Sequence, residues 1–237
     1  TDRENEINQF NENSFYKISG NFKESEVKFF FNIKTKVDKK KYIGDIFKNS
    51  NKEEILKILE NLKKSNIKVK FVIKKDSNRK PSAPYITSTL QQDSNTKLGY
   101  NSKKTMMLAQ QLYEKGLITY MRTDSTNLSN DVINQCKNYI LEKYGEEYFK
   151  SRIYSKKSKN AQEAHEAIRP TDVSRKPSDM KKYLSTDQSK LYELIWNRAI
   201  SSQMNPAEFD RKSITLESEN KKICFKANGS TIKFDGY

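Results

Sequence analysis

The sequence predicts an α+β chain in which a helical domain is inserted into a β-rich one. Three observations carry that expectation. Apolar, β-prone runs stand at both ends: residues 27–33 (VKFFFNI) and 69–73 (VKFVI) near the start, and 213–217, 223–227 and 231–234 near the finish. From about Tyr85 to Met204 the apolar spacing turns helical. A basic, proline-containing connector (Lys74, Lys75, Arg79, Lys80, Pro81, Pro84) lies between the first β-rich stretch and the helices. The expected boundaries are residues 1–80 with 207–237 for the β-rich domain and 81–206 for the helical one.

Taken in order, Ser50 is placed to cap a helix, with Glu53 completing a capping box. Ile55, Ile58, Leu59 and Leu62 then fall on one face of that helix. In the helical domain, Ser102 is expected to cap a stretch carrying Met106, Met107, Gln110, Leu112 and Tyr113, which Gly116 ends in the left-handed position. Ser129 opens the next helix, with Ile133, Cys136 and Ile140 on one side and Gly145 as its stop. A third covers about 186–201, with Leu191, Leu194, Ile195 and Trp196 as its apolar content and Pro206 closing it. The tail then returns to strands.

Lys and Arg number 45 against 30 Asp and Glu, a net charge of +15. A surplus that large exceeds what solubility needs and suits a polyanionic partner. A genome rich in A and T, which favours Lys, Asn and Ile codons, produces a similar composition. The two cysteines, Cys136 and Cys224, are far apart and without neighbouring ligands, so neither a disulfide framework nor a zinc site is expected. A reducing, cytoplasmic compartment follows as the default. No apolar run approaches the roughly 20 residues of a membrane span. The start at Thr1 and the finish at Phe234-Asp235-Gly236-Tyr237 both read as cuts inside a longer protein.

Three segments carry candidate chemistry. In residues 116–125 (GLITYMRTDS) a helix-ending glycine and a short β-prone run deliver Tyr120, and Arg122, Thr123, Asp124 and Ser125 follow at once. A burst of polar groups directly after a strand suits a phosphate held against a nucleophile. Tyr120 could attack phosphorus to form a phosphotyrosine. If the strand continues, Arg122 lies on the same side and stabilises the added negative charge. Asp124 would position that arginine or manage a proton. With 13 tyrosines in the chain, Tyr120 is also readable as a packing residue. In residues 162–171 (QEAHEAIRPT), the only histidine, His165, stands among Glu163, Glu166 and Arg169. It suits a general acid or a phosphate contact, its pKa raised by the acids, and equally a surface histidine in a glutamate cluster. Residues 84–92 (PYITSTLQQ), followed by Lys103 and Lys104, offer small hydroxyls and amides that suit phosphate contact or plain helix capping.

In this order and at these separations, the three segments resemble the bacterial type IA DNA topoisomerases. The resemblance runs through ITSTLQQ (86–92), KKTMM (103–107), residues 116–129 and 161–171, and continues to Leu194-Ile195-Trp196 and the closing Phe234-Asp235-Gly236-Tyr237. The EAHEAIRPT form is closer to the topoisomerase I branch than to topoisomerase III. The resemblance implies that Tyr120 is the nucleophile, bonding to the 5′ phosphate of one cleaved strand, and that Arg122 contacts the scissile phosphate. Asp124 and His165 match residues supporting the site, with Thr123, Ser125, Arg169, Lys103 and Lys104 as further supporting or DNA-binding candidates. It implies an arch domain (1–80 and 207–237) and an inserted, winged-helix-like domain (81–206). The implied partner is DNA, single-stranded or negatively supercoiled, and the implied protein is a cytoplasmic, nucleoid-associated monomer that relaxes supercoils without ATP. The family's Mg²⁺ site is an acidic cluster in another domain. This chain has no such cluster, so no metal ligand and no cofactor is expected within it, and alone it should not relax DNA. Two competing readings are a non-catalytic single-stranded DNA-binding module and a tyrosine recombinase or nicking enzyme; the lone histidine argues against a recombinase.

Overall fold

The computed structural model describes residues 2–10, 15–16, 19–24, 27–37, 40–41, 47–48, 52–154, 165–219 and 223–237. The elements run in order α1 (Asp2–Asn8), β1 (Phe15–Tyr16), β2 (Ser19–Glu24), β3 (Val27–Val37), β4 (Lys40–Lys41), β5 (Phe47–Lys48), α2 (Lys52–Lys64), β6 (Ile67–Arg79), α3 (Thr87–Leu98), α4 (Ser102–Glu114), α5 (Asn130–Lys143), a 3₁₀ turn (Glu146–Tyr148), α6 (Pro177–Met180), α7 (Thr186–Ser202), β7 (Ala207–Ser218) and β8 (Ile223–Phe234). They group into two compact units, Thr1–Ser77 with Phe209–Thr231, and Asn78–Glu208 with Ile232–Tyr237.

The first unit is built on a sheet in the order β2-β3-β8-β7-β6, with β4 beside β3. β3 and β8 run antiparallel, Ile33 opposite Phe225 and Lys34 opposite Cys224. The ion pairs Lys68–Glu219 and Lys70–Glu217 tie β6 to β7, and their opposed numbering sets those strands antiparallel. The run VKFVI is a strand as expected, yet Val69, Phe71, Val72 and Ile73 are exposed. The tail differs from expectation in one respect. Residues 223–227 and 231–234 are a single strand, β8, running through Asn228-Gly229-Ser230. Those residues are poor strand formers, yet the strand that β3 registers at residues 223–226 continues through them. Ser50 and the side chains of Ile55 and Leu62 lie outside the described residues, as does the loop at 155–160.

In the second unit α7 is the central helix, packing against α3, α4, α5 and α6. It is apolar on more than one face, with Leu191, Tyr192, Ile195, Trp196, Ala199 and Ile200 all buried. Ser185 caps it through a reciprocal box with Gln188, a device worth about 1 kcal/mol. The polar ends of two of its rings tie down the segment preceding α6: Trp196 Nε1 donates to the Val173 carbonyl at 3.0 Å and the Tyr192 hydroxyl to that of Arg175 at 2.7 Å. The cap of α4 falls one residue earlier than expected. Asn101, not Ser102, accepts the Lys104 amide at 2.8 Å, since its side-chain oxygen reaches the open turn from the extended position before the helix. Gly116 ends α4 as expected, at φ 65°. The Leu117 amide returns to the Leu112 carbonyl and the Gly116 amide to that of Tyr113, a Schellman closure that turns the chain sharply into the next segment. Of the residues expected to line α5, Cys136 and Ile140 are buried, together with Val132 rather than Ile133.

Candidate active site

Two of the three chemistry-bearing segments pair directly, and the pairing continues to the start of the third. The Thr119 amide donates to the Arg169 carbonyl at 2.9 Å and the Thr171 amide to that of Leu117 at 3.0 Å. Pro170 sits between those bonds, opposite Ile118, where the ladder needs no N–H from it. On the other edge the Ile168 amide donates to the Tyr85 carbonyl at 2.8 Å. The Thr119 hydroxyl locks the arrangement by donating to the Ala167 carbonyl at 2.6 Å while accepting the Arg169 amide. Tyr85, Ile118 and Ile168 are fully or almost fully buried, so the ribbon is anchored in the core of the helical unit.

Tyr120 leaves this ribbon 50% exposed, and Met121, 1% exposed, turns back into the core. The strand does not continue as expected: the chain bends at Met121 and Arg122. Tyr120 and Arg122 are both exposed, with the buried Met121 between them. The Tyr120 ring meets that of Tyr113, on the last turn of α4, edge to face at 5.4 Å. Such a contact holds a ring in one orientation without covering its hydroxyl.

Beside the bend opens a cavity of about 510 Å³, lined by Ile86, Thr87, Ser88, Gln91, Arg122, Thr123, Asp124 and His165. Arg122 and Asp124 from one motif and His165 from another therefore face one space. Tyr120 is not part of that lining. Arg122 is exposed and has no ion-pair partner among the described residues. Thr123 and Ser125 spend their hydroxyls locally, accepting the amides of Ser125 and Asn127. Arg169 is part of the frame: it pairs with Glu166, whose other oxygen accepts the Ser129 amide that opens α5. Lys104 is held by Asp187 at 2.7 Å and lies over the Tyr100 ring, whereas Lys103 is exposed. Gln162 and Glu163 lie outside the described residues.

Sequence reasoning singled out the segment carrying Ser88 and Gln91 without naming them as site residues. Their spacing of three on a helix was the available signal. Nothing in the sequence marks Thr87 or Tyr113 individually.

The helix carrying that segment, α3, is fastened from behind. Asp93 pairs with Arg198 of α7 and with Lys97, and accepts the Tyr85 hydroxyl at 2.6 Å. Burial alone would raise the Asp93 pKa, but the hydrogen bonds from Tyr85 and Lys97 and the charge of Arg198 prevail and hold it below the usual carboxylate value. Burial and the bond to Asp93 push the Tyr85 hydroxyl well above its ordinary value, so it stays protonated as a donor.

The resemblance to type IA topoisomerases implies a Mg²⁺ ion. Among the described residues no three His, Cys, Asp or Glu side chains gather to hold a metal, and Asp124 is the single carboxylate lining the cavity. A hard divalent cation prefers several oxygen ligands, which this donor set does not supply.

A family model described as DNA topoisomerase matches residues 1–237. The chain is 44% identical to DNA topoisomerase 1 of Rickettsia bellii over 246 residues, covering all of this chain and 30% of that protein. The corresponding enzyme of Rickettsia felis is also 44% identical, with 31% of its length covered. Among solved structures, full-length topoisomerase I from Thermotoga maritima superposes with a TM-score of 0.77 at 37% identity, covering all of this chain and 37% of that one. The chain thus belongs to the bacterial type IA DNA topoisomerases, and it spans about a third of the length of the relatives it matches.

Proposed function

We propose that this chain supplies the nucleophile and the phosphate-binding side chains of a type IA DNA topoisomerase. In this reading the Tyr120 hydroxyl gives up its proton, and its oxygen bonds to the phosphorus of one DNA strand. The bond from that phosphorus to the preceding 3′ oxygen breaks, and the 3′ oxygen takes up a proton. The strand's 5′ phosphate is then held as a phosphotyrosine. Because one phosphoester replaces another, the step consumes neither water nor ATP, and religation is its reverse. Arg122 binds the scissile phosphate and offsets charge developing on its oxygens. Asp124 and His165 support it from the same cavity. Lys103 and the surplus positive charge attract the DNA backbone.

The observation that carries this reading is the pairing of residues 117–119 with 169–171, which brings the histidine segment beside the segment carrying Tyr120 and Arg122. The domains assigned are the arch, from residues 1–80 and 207–237, and the inserted winged-helix-like domain, 81–206. The whole protein acts as a cytoplasmic monomer on single-stranded or negatively supercoiled DNA. Its Mg²⁺ would be held by acidic residues of another domain; no role here falls to a metal ligand of this chain. The test compares full-length protein with the 237-residue chain on negatively supercoiled plasmid, with Mg²⁺ and without ATP. Full-length protein should relax the plasmid and the chain alone should not. Relaxation by the isolated chain contradicts the division of labour, and none by the full-length protein contradicts the function.

A further inference from the structure

Arg122 stands on an exposed bend with no partner for its guanidinium among the described residues, yet the backbone on either side of it is held by one side chain. The Thr87 amide donates to the Thr123 carbonyl at 3.0 Å, and the Thr123 amide donates to Thr87 Oγ1 at 3.0 Å. The Thr87 hydroxyl in turn lies 2.8 Å from the Met121 carbonyl and 3.1 Å from that of Thr123. It has one proton to give, and the shorter contact assigns it to Met121. A single threonine therefore fastens the carbonyl before Arg122 and the amide after it.

We propose that Thr87 is a positioning residue for Arg122, setting where the guanidinium stands relative to the phosphate that Tyr120 attacks. This rests on the reaction proposed above. The hold is stiff because Thr87 is the first residue of α3, which Asp93 and Tyr85 fasten to Arg198 of α7. Tyr120 is secured on its other side, through Thr119 and the Arg169 segment. Thr87 grips the backbone between nucleophile and arginine, at the Met121 carbonyl, and so fixes their relative placement. A hydroxyl donates to a carbonyl and accepts the amide at once, which neither valine nor aspartate does in this place. The helix begins without a side-chain cap at Ile86, so Thr87 is not spent on closing its own turn.

The test uses full-length protein, end-labelled single-stranded DNA and a denaturing quench. Thr87→Val keeps the shape and removes the hydroxyl. It should slow adduct formation at saturating DNA by about 10- to 100-fold, as expected for displacement of a reacting group by an ångström or less. DNA affinity should change by less than about threefold. Thr87→Ser should return the rate to within about threefold of wild type. A positioning role also predicts non-additivity: in an Arg122→Ala background, Thr87→Val should slow cleavage no further. A folded Thr87→Val enzyme that cleaves at the wild-type rate overturns the proposal, as does a full, multiplicative effect in the Arg122→Ala background. If Thr87→Val melts below the assay temperature, Thr87→Ala replaces it in the same comparison. Failure of both to fold makes Thr87 a stability residue and overturns the proposal too. Absence of any adduct with wild-type protein instead overturns the function, a distinguishable result.

Discussion

Two arginines from the recognisable motifs end in opposite situations. Arg169 is tucked against Glu166, donates to the Pro170 carbonyl, and helps hold the segment that brings His165 beside the cavity. Arg122 projects from a bend with its guanidinium unpaired among the described residues. Both stand two to four residues from the proposed reactive groups. The difference teaches that a motif mixes residues that build the frame with residues that face the substrate, and that the guanidinium's partners separate the two.

Breaking the facing residues should cost activity and spare the fold. Tyr120→Phe should abolish covalent attachment while DNA affinity, measured by salt-dependent binding, stays within about twofold. Arg122→Lys should still bind DNA but cleave about 100-fold more slowly, because a point charge does not reproduce the guanidinium fork. Equal cleavage would demote Arg122 to ordinary backbone binding. Breaking the frame should do the reverse. Glu166→Gln leaves Arg169 without its counter-charge in a largely buried place and should cost about 3 kcal/mol of stability by urea unfolding. A loss under about 0.5 kcal/mol would return Arg169 to the list of DNA contacts.

The smallest effect concerns pH. Because the folded-state pKa of Asp93 lies below its unfolded value, its contribution to stability is present above about pH 4 and fades as pH falls through the folded value. Thermal unfolding should therefore steepen in its pH dependence below about pH 4, and Asp93→Asn should flatten that slope. An unchanged slope would mean that the α3–α7 fastening is carried by packing.

Much of this was legible before the fold was known. Gly116 marked the end of α4 because only a left-handed residue closes that turn. What escaped was set by distant partners. β8 runs unbroken through Asn228-Gly229-Ser230 in a sheet that also draws on β3, far away in sequence. The bend at Met121 follows from a core that takes Met121 and a helix start, 34 residues earlier, that grips its carbonyl. Ser102 was read as the cap of α4, and only the reach of the Asn101 oxygen moves the cap one residue earlier. In the site, the residue types of Tyr120, Arg122, Asp124 and His165 were readable, while the split between Arg122 and Arg169 needed the position of Glu166.

The most direct measurement of the central claim is to find which tyrosine carries the DNA. Full-length protein is trapped on a 5′-labelled-product substrate, digested with a protease, and the nucleotide-bearing peptide is sequenced by mass spectrometry. The account predicts the modification on Tyr120 and none on Tyr113, whose ring stands only 5.4 Å away. A nucleotide on Tyr113, or a linkage to the 3′ phosphate, would contradict it.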